Sequence, residues 1–236
     1  MSRKFKLKRN CYGDEFKLYK KGTVTLKPGL TVLVGCNGIG KATLLYQLSD
    51  SLKNDGIPCI KFDNLNDGGS HSVQEAAFYG NFDFVSASFC SSEGENIVLN
   101  VSQLCRKLLH FLETGETDKR KSRMARVFRE AAGIEEEVEE KEIPKERWIL
   151  LDAVDSGLSV DNVIDMKEYL FKPLFEHNFG NKIYIVISAN EYEMANGEQC
   201  FDVHNGKYVT FKDYDEYRNF IIESRKYKDE RYPEED

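Results

Sequence analysis

The sequence predicts an α/β fold in which short apolar strands alternate with amphipathic helices around a phosphate-binding loop. Three observations predict it. The run Gly35-Cys36-Asn37-Gly38-Ile39-Gly40-Lys41-Ala42-Thr43 sits between an apolar stretch and a helical stripe. Apolar runs at 57–62, 148–151 and 183–187 have the length and composition of buried strands. Between them, apolar residues recur at spacings of three and four, the period of helices packed on one face.

With 236 residues the chain fits one large domain, or one domain with a small insertion. A hydrophobic content of 41% supports a core. The net charge of -7 argues against a surface wholly devoted to nucleic acid and leaves room for local basic patches. The opening MSRKFKLKRN has no apolar core of a secretory signal, and no apolar run approaches a membrane span. A cytoplasmic location without membrane contact is therefore expected. Cysteines at 11, 36, 59, 90, 105 and 200 form no C-x-x-C pair and read as reduced thiols.

Element by element, residues 3–34 read as strands of an N-terminal β region. Phe5 alternates with Leu7, Phe16 with Leu18 and Val24 with Leu26, with turns at 10–14 and 27–29. Residues 30–34 form a short strand running into the glycine loop. Leu44, Leu45, Leu48 and Leu52 fall on one stripe of the following helix, which ends near Gly56. Residues 57–62 form the next strand, followed by a polar loop at 63–70. Leu104, Leu108, Leu109 and Leu112 mark a helix over 101–113. A second follows, with Met124, Val127, Phe128 and Ala131 on one face and six basic residues between 119 and 129 elsewhere. That basic region reads as a solvated face, or alternatively as a DNA- or partner-binding face. The acidic run 135–142 reads as an exposed loop. Val163, Met166, Leu170 and Leu174 mark another helix. Residues 201–211 form a hairpin turning at Asn205-Gly206. Asp213 caps a last helix carrying Tyr217 and Ile221, and a charged, mobile tail follows from residue 226.

The glycine loop has the form G-x-x-x-x-G-K-[ST] with one hydroxyl missing. Glycines let backbone N–H groups turn inward around phosphate, and Lys41 neutralises the outer phosphates. The hydroxyl expected after the lysine, a Mg²⁺ ligand, is replaced by Ala42, with Thr43 one step later. The loop makes the chain a nucleotide-binding candidate of P-loop type, and its missing hydroxyl asks whether hydrolysis follows. Residues 147–152 then deliver Asp152 at the carboxyl edge of a strand, where an acid can hold Mg²⁺ opposite the loop.

The segment Ala153-Val154-Asp155-Ser156-Gly157-Leu158-Ser159-Val160-Asp161 resembles the Walker B extension and D-loop of ABC-type ATPases, L-L-D-E-P followed by L-D. The loop GCNGIGKATLL resembles that family's G-x-N-G-x-G-K-S-T-L-L. Ser91-Ser92-Glu93-Gly94-Glu95 resembles its L-S-G-G-Q signature, and also reads as a polar turn opening a helix. Ser188-Ala189-Asn190 falls at the place of its switch histidine. The motif order matches across residues 3–211, most closely to stand-alone ABC ATPases related to chromosome-maintenance and DNA-repair proteins, of a kind found in bacteriophage and bacterial genomes. The resemblance implies an ABC-type core over residues 1–225, with an antiparallel β subdomain at the N-terminus, a small helical insertion at about 96–146 and a tail at 226–236.

It also implies site residues. Lys41, Asp152 and Asn190 would serve catalysis. Gly35 to Thr43 would hold the nucleotide, together with Ser92, Gly94 and Glu95 of a facing subunit; a helix N-terminus there is a natural anion site. One copy of each motif per chain implies a head-to-tail homodimer enclosing two ATP molecules. Tyr12, with Phe16 behind it, is the candidate for stacking adenine, though both also read as ordinary core or surface aromatics. Asp152 and Gln74 are the metal candidates; Asn64 or Asn66 can replace Gln74.

Departures from the family pattern fall at chemical positions. Ala42 lacks the metal-binding hydroxyl, Ala153 stands where the family has a catalytic glutamate, and Asn190 cannot carry a proton as histidine does. Asp155 is a poor substitute base, lying further along in a loop expected to touch the other subunit. The expectation is an ATPase with slow or impaired hydrolysis, acting in DNA maintenance or phage–host interaction. The alternatives are a nucleotide-dependent binding module without turnover, and a transporter ATPase subunit. His71, His110, His177 and His204 are dispersed, which speaks against a metal-dependent nuclease.

Overall fold

Alternating residues make the outer strands of this chain, and continuous apolar runs make the inner ones. The structure is a computed structural model that describes residues 2–10, 17–63, 73–74, 77, 81–90, 93–117 and 144–230. Strands β1 (Arg3–Lys6) and β2 (Thr23–Leu26) pair antiparallel, with Phe5 opposite Val24. Phe5, Val24 and Leu26 are buried while Lys4, Lys6 and Thr25 are exposed, the period-2 pattern of a sheet with one wet face.

The central sheet contains β3 (Gly29–Val34), β4 (Cys59–Asp63), β5 (Glu146–Asp152), β6 (Lys182–Ser188), β7 (Gln199–Asp202) and β8 (Lys207–Val209), in the order β4-β5-β6-β3-β7-β8. The first five in that order are parallel; β8 returns antiparallel on β7 through the expected hairpin. The chain is thus an α/β protein with a parallel sheet and an N-terminal antiparallel pair.

Helices cover both faces. They are α1 (Lys41–Asn54), α2 (Phe82–Cys90), α3 (Glu93–Thr114), α4 (Val160–Met166), α5 (Lys172–Glu176), α6 (Tyr192–Ala195) and α7 (Tyr214–Asp229). Alternate residues of β5 enter two cores. Trp148 and Leu150 meet the α1 stripe Leu44, Leu45, Leu48 and Leu52, with Phe5 and Leu26 from the antiparallel pair. Ile149 and Leu151 meet Leu104, Leu108 and Leu112 of α3 and Val163 and Met166 of α4. Trp148 stacks flat on Tyr184 at 4.0 Å, which locks β5 to β6.

Several elements differ from expectation. Leu18 is not in a strand; it is a buried loop residue. The helix expected over 101–113 begins at Glu93, so Gly94 and Glu95 belong to its first turns rather than to a turn ahead of it. Helix α2 has no apolar–polar period to betray it, and its Phe82 and Phe89 are exposed. Between α4 and α5 the helix widens into a π-helical turn at Lys167–Phe171, next to Pro173, which has no N–H to give and crowds the preceding turn. The tail expected from residue 226 starts inside α7, which continues to Asp229. Phe16, the basic region 119–129 and the acidic run 135–142 lie outside the described residues.

Candidate phosphate-binding site

Parallel strands bring their carboxyl ends to one edge, and the glycine loop leaves β3 there. Gly35 and Gly40 hold φ values of 139° and 113°, a region that penalises any side chain. A Cβ would also lie 2.9 Å from Ile39 at Gly35 and 2.8 Å from Leu18 at Gly40. Ile39 faces inward, fully buried, so only its backbone is offered to a ligand. Tyr19 donates its hydroxyl to the Gly40 carbonyl at 3.1 Å, bracing the loop from the N-terminal region. Gly40 then opens α1, whose first-turn N–H groups point toward the loop.

Lys41 folds back over the loop and donates to the Gly35 carbonyl at 2.8 Å. Burial pushes its ammonium below the ordinary lysine range; the charges of Cys36, Asp155 and Asp152 work against that shift. Ala42 is exposed and offers no ligand atom, and Thr43 is half-buried beside it.

The strand order places β6 between the loop strand β3 and the acid strand β5. Ser188 ends β6 in register with Asp152. Its hydroxyl donates to Asp152 Oδ1 at 2.5 Å and accepts the Ala153 N–H at 2.8 Å. Ala153 has φ 51°, a left-handed turn rare for a residue with a Cβ, and this sharp corner aims the following loop back toward β6. One Asp152 oxygen is thus engaged by Ser188. Mg²⁺ is commonly held by one or two carboxylates plus phosphate oxygens and water, so this donor set fits a site held by Asp152 alone from the protein.

Asp155 is fully buried. Its Oδ2 accepts the N–H groups of Asn190 at 2.7 Å and Glu191 at 2.8 Å, while Oδ1 has no partner among the described residues. Burial raises its carboxyl above the usual range, opposed by these N–H donors and the Lys41 charge. Asn190 itself is exposed; its side chain donates to Ser156 Oγ at 3.0 Å, and its carbonyl accepts from Tyr217 at 3.4 Å. Asp155 is therefore a strut that fixes Asn190, not a free base.

Helix α7 closes the site from the other side. Asp213 caps it, as expected, accepting the Glu216 N–H at 2.8 Å. Ser224 Oγ accepts the Cys36 N–H at 2.8 Å. Between loop, helix and the 189–192 segment lies a cavity of about 470 Å³, lined by Gly35, Cys36, Asn37, Lys41 and Asn190 among others.

The structure brings Gly35, Cys36, Asn37, Lys41 and Asn190 to this cavity. Gly38, Ile39, Gly40, Ala42 and Thr43 do not line it, and neither does Asp152, which accepts from Ser188 at the end of β6. Gln74 is exposed on a helical turn and does not line it. Tyr12, Ser92, Asn64 and Asn66 lie outside the described residues, and Gly94 and Glu95 are placed only as backbone in α3. Sequence reasoning missed Ser224 and the part played by α7. The available signal was the spacing of Arg218, Arg225 and Lys228 on one face of a helix already expected there. Among the described residues no helix is long and apolar enough to cross a membrane, and no cluster of three or more His, Cys, Asp or Glu could hold a metal ion.

No family model matches the chain, and no curated protein matches it. Solved structures that resemble it include a nucleotide-free ATP-binding cassette from an ABC transporter, at 15% identity and a TM-score of 0.46, covering 95% of this chain and 99% of that one. Another is the ADP conformation of an ATP-binding cassette of an ABC transporter, at 13% identity and a TM-score of 0.44, covering 95% and 98%.

Proposed function

We propose that this chain is an ATP-binding, ABC-type ATPase with slow turnover. The single observation that carries the reading is spatial. The glycine loop and the α1 N-terminus meet Lys41 at the carboxyl edge of the parallel sheet, with Asp152 one strand beyond β6. Backbone N–H groups and Lys41 bind and orient the β- and γ-phosphates. Mg²⁺, held through Asp152, would neutralise charge on the phosphate oxygens. Ser188 keeps the Asp152 carboxylate aimed, and Asn190, fixed by Asp155, offers its amide at the cavity wall.

Slow hydrolysis follows from what surrounds this cradle. Ala153 carries no base, and the Asp155 carboxylate is buried and accepts two backbone N–H groups. Lack of a general base typically costs about 10²–10⁴ in rate. ATP then serves as a long-lived ligand, and a nucleotide-dependent binding module is the limiting form of the same reading. The ABC-like motif order supports an ATP-enclosing homodimer, and the family likeness of the sequence supports a role in DNA maintenance or phage–host interaction.

The test is sedimentation velocity with and without ATP and Mg²⁺, paired with chromatography of the bound nucleotide after several hours. ATP-dependent dimers retaining intact ATP are expected. A monomer at saturating ATP removes the dimer from the reading, and rapid conversion to ADP removes slow turnover.

A further inference from the structure

The cavity beside the phosphate loop has a second wall, and that wall is one face of α7. Tyr217, Arg218, Ile221, Arg225 and Lys228 line it, at spacings of one, three, four and three. This is a single helical stripe. Its charged members are all basic. The acids of the same helix, Asp215, Glu216, Glu223 and Asp229, are absent from the lining, where Glu191 is the acidic residue present. Across the cavity stand Lys41 and the loop backbone.

The wall is held in place. Ser224 ties α7 to the Cys36 N–H, and the Lys228 stem lies against Gly38, 3.2 Å from where a Cβ would be. Among the described residues Arg218, Arg225 and Lys228 enter no ion pair. Like charges gathered around a partly enclosed space raise one another's energy, and a polyanion between them reverses that cost. From Arg218 to Lys228 the row spans about 15 Å of helix. A cavity of about 470 Å³ is in the range of small-molecule sites. Guanidinium groups match phosphate oxygens with two parallel donors, and lysine adds a point charge.

We propose that Arg218, Arg225 and Lys228 form the second wall of the phosphate site and contact, within one chain, the triphosphate that residues 35–41 cradle. The proposal rests on the ATP reading above and adds the residues that grip the ligand from the opposite side. The loop alone supplies one cationic side chain, Lys41; α7 supplies the rest.

Calorimetric titration of the full chain with ATP, AMP and inorganic tripolyphosphate tests it, using Arg225→Gln/Lys228→Gln, Arg225→Lys and, as control, Lys226→Gln. Lys226 lies on the same helix, is exposed and does not line the cavity. The double variant should bind ATP and tripolyphosphate about tenfold or more weakly, as expected for losing charge-assisted hydrogen bonds. AMP affinity and the control should be unchanged, and Arg225→Lys, which keeps the charge but not the paired donors, should lose less affinity than the double variant. Unchanged ATP binding by the double variant, with its helix content intact, overturns the proposal and leaves the ATP reading standing. A wild-type chain that binds tripolyphosphate but not ATP, with loss in the double variant, supports the wall and overturns the ATP reading. A wild-type chain that binds neither overturns both.

Discussion

Ser224 Oγ accepts the Cys36 N–H at 2.8 Å, joining the last helix to the phosphate loop across 188 positions of sequence. Both residues are buried, so no water replaces the bond if it is lost. Ser224→Ala should therefore destabilise the fold by about 1–3 kcal/mol, the cost of a buried N–H left unsatisfied. Hydrogen exchange at Cys36 should speed up more than at the β5 core. Equal protection at Cys36 in both proteins would show that α7 does not restrain the loop.

Asp155 allows a sharper comparison. Asp155→Ala strips the acceptor from two N–H groups, those of Asn190 and Glu191, and should cost about 2–4 kcal/mol. Asp155→Asn keeps an acceptor oxygen and should cost less than half of that. Because burial already raises the carboxyl above its usual range, the neutral replacement also removes a desolvation cost. Chemical denaturation of both variants checks the order; equal losses would contradict the strut.

Much of the fold is legible because the residues that make it are close in sequence. The α1 stripe Leu44, Leu45, Leu48 and Leu52 and the continuous runs of β5 and β6 announce both period and burial. The glycine loop is likewise local, and Gly40 opens α1 where the motif requires. The rest of the site depends on long-range placement. Nothing near Cys36 predicts that Ser224 will take its N–H, and nothing near Asp155 predicts that its carboxylate will turn onto the N–H groups of Asn190 and Glu191 instead of toward the loop. Strand order decides the second, since it inserts β6 between β3 and β5, and the docking of α7 on the loop decides the first. The start of α3 at Glu93 is illegible for another reason: the resemblance of residues 91–95 to a signature loop competes with their capacity to start a helix.

Restoring the missing groups should restore turnover. Ala153 already holds a left-handed backbone with a Cβ, so Ala153→Glu adds little new backbone strain. Combined with Ala42→Ser, it should raise phosphate release by about 10²-fold or more, the scale of a general base. A steady-state phosphate assay reads the gain. No gain, with nucleotide binding intact, would mean that residue 153 does not face the γ-phosphate.

The thiols give a pH prediction. Burial is the main cause that raises Cys59 and Cys200 from the ordinary 9.0 to about 12. Between those values the unfolded chain releases protons that the folded chain keeps, so stability falls as pH rises from 9 toward 12. Replacing both cysteines by alanine should flatten that alkaline loss in thermal melts taken across the window. An undiminished slope would place the alkaline sensitivity elsewhere.

The most direct measurement is calorimetric titration of ATP with Mg²⁺ into the wild-type chain and into Lys41→Ala. Lys41 lines the cavity and is the loop's own cation, held over the loop by its bond to the Gly35 carbonyl. Saturable binding at one site per chain, weakened about tenfold or more by the substitution, is the predicted result. Equal affinity in the two proteins, or no binding by either, would contradict the assignment of this loop as a triphosphate cradle.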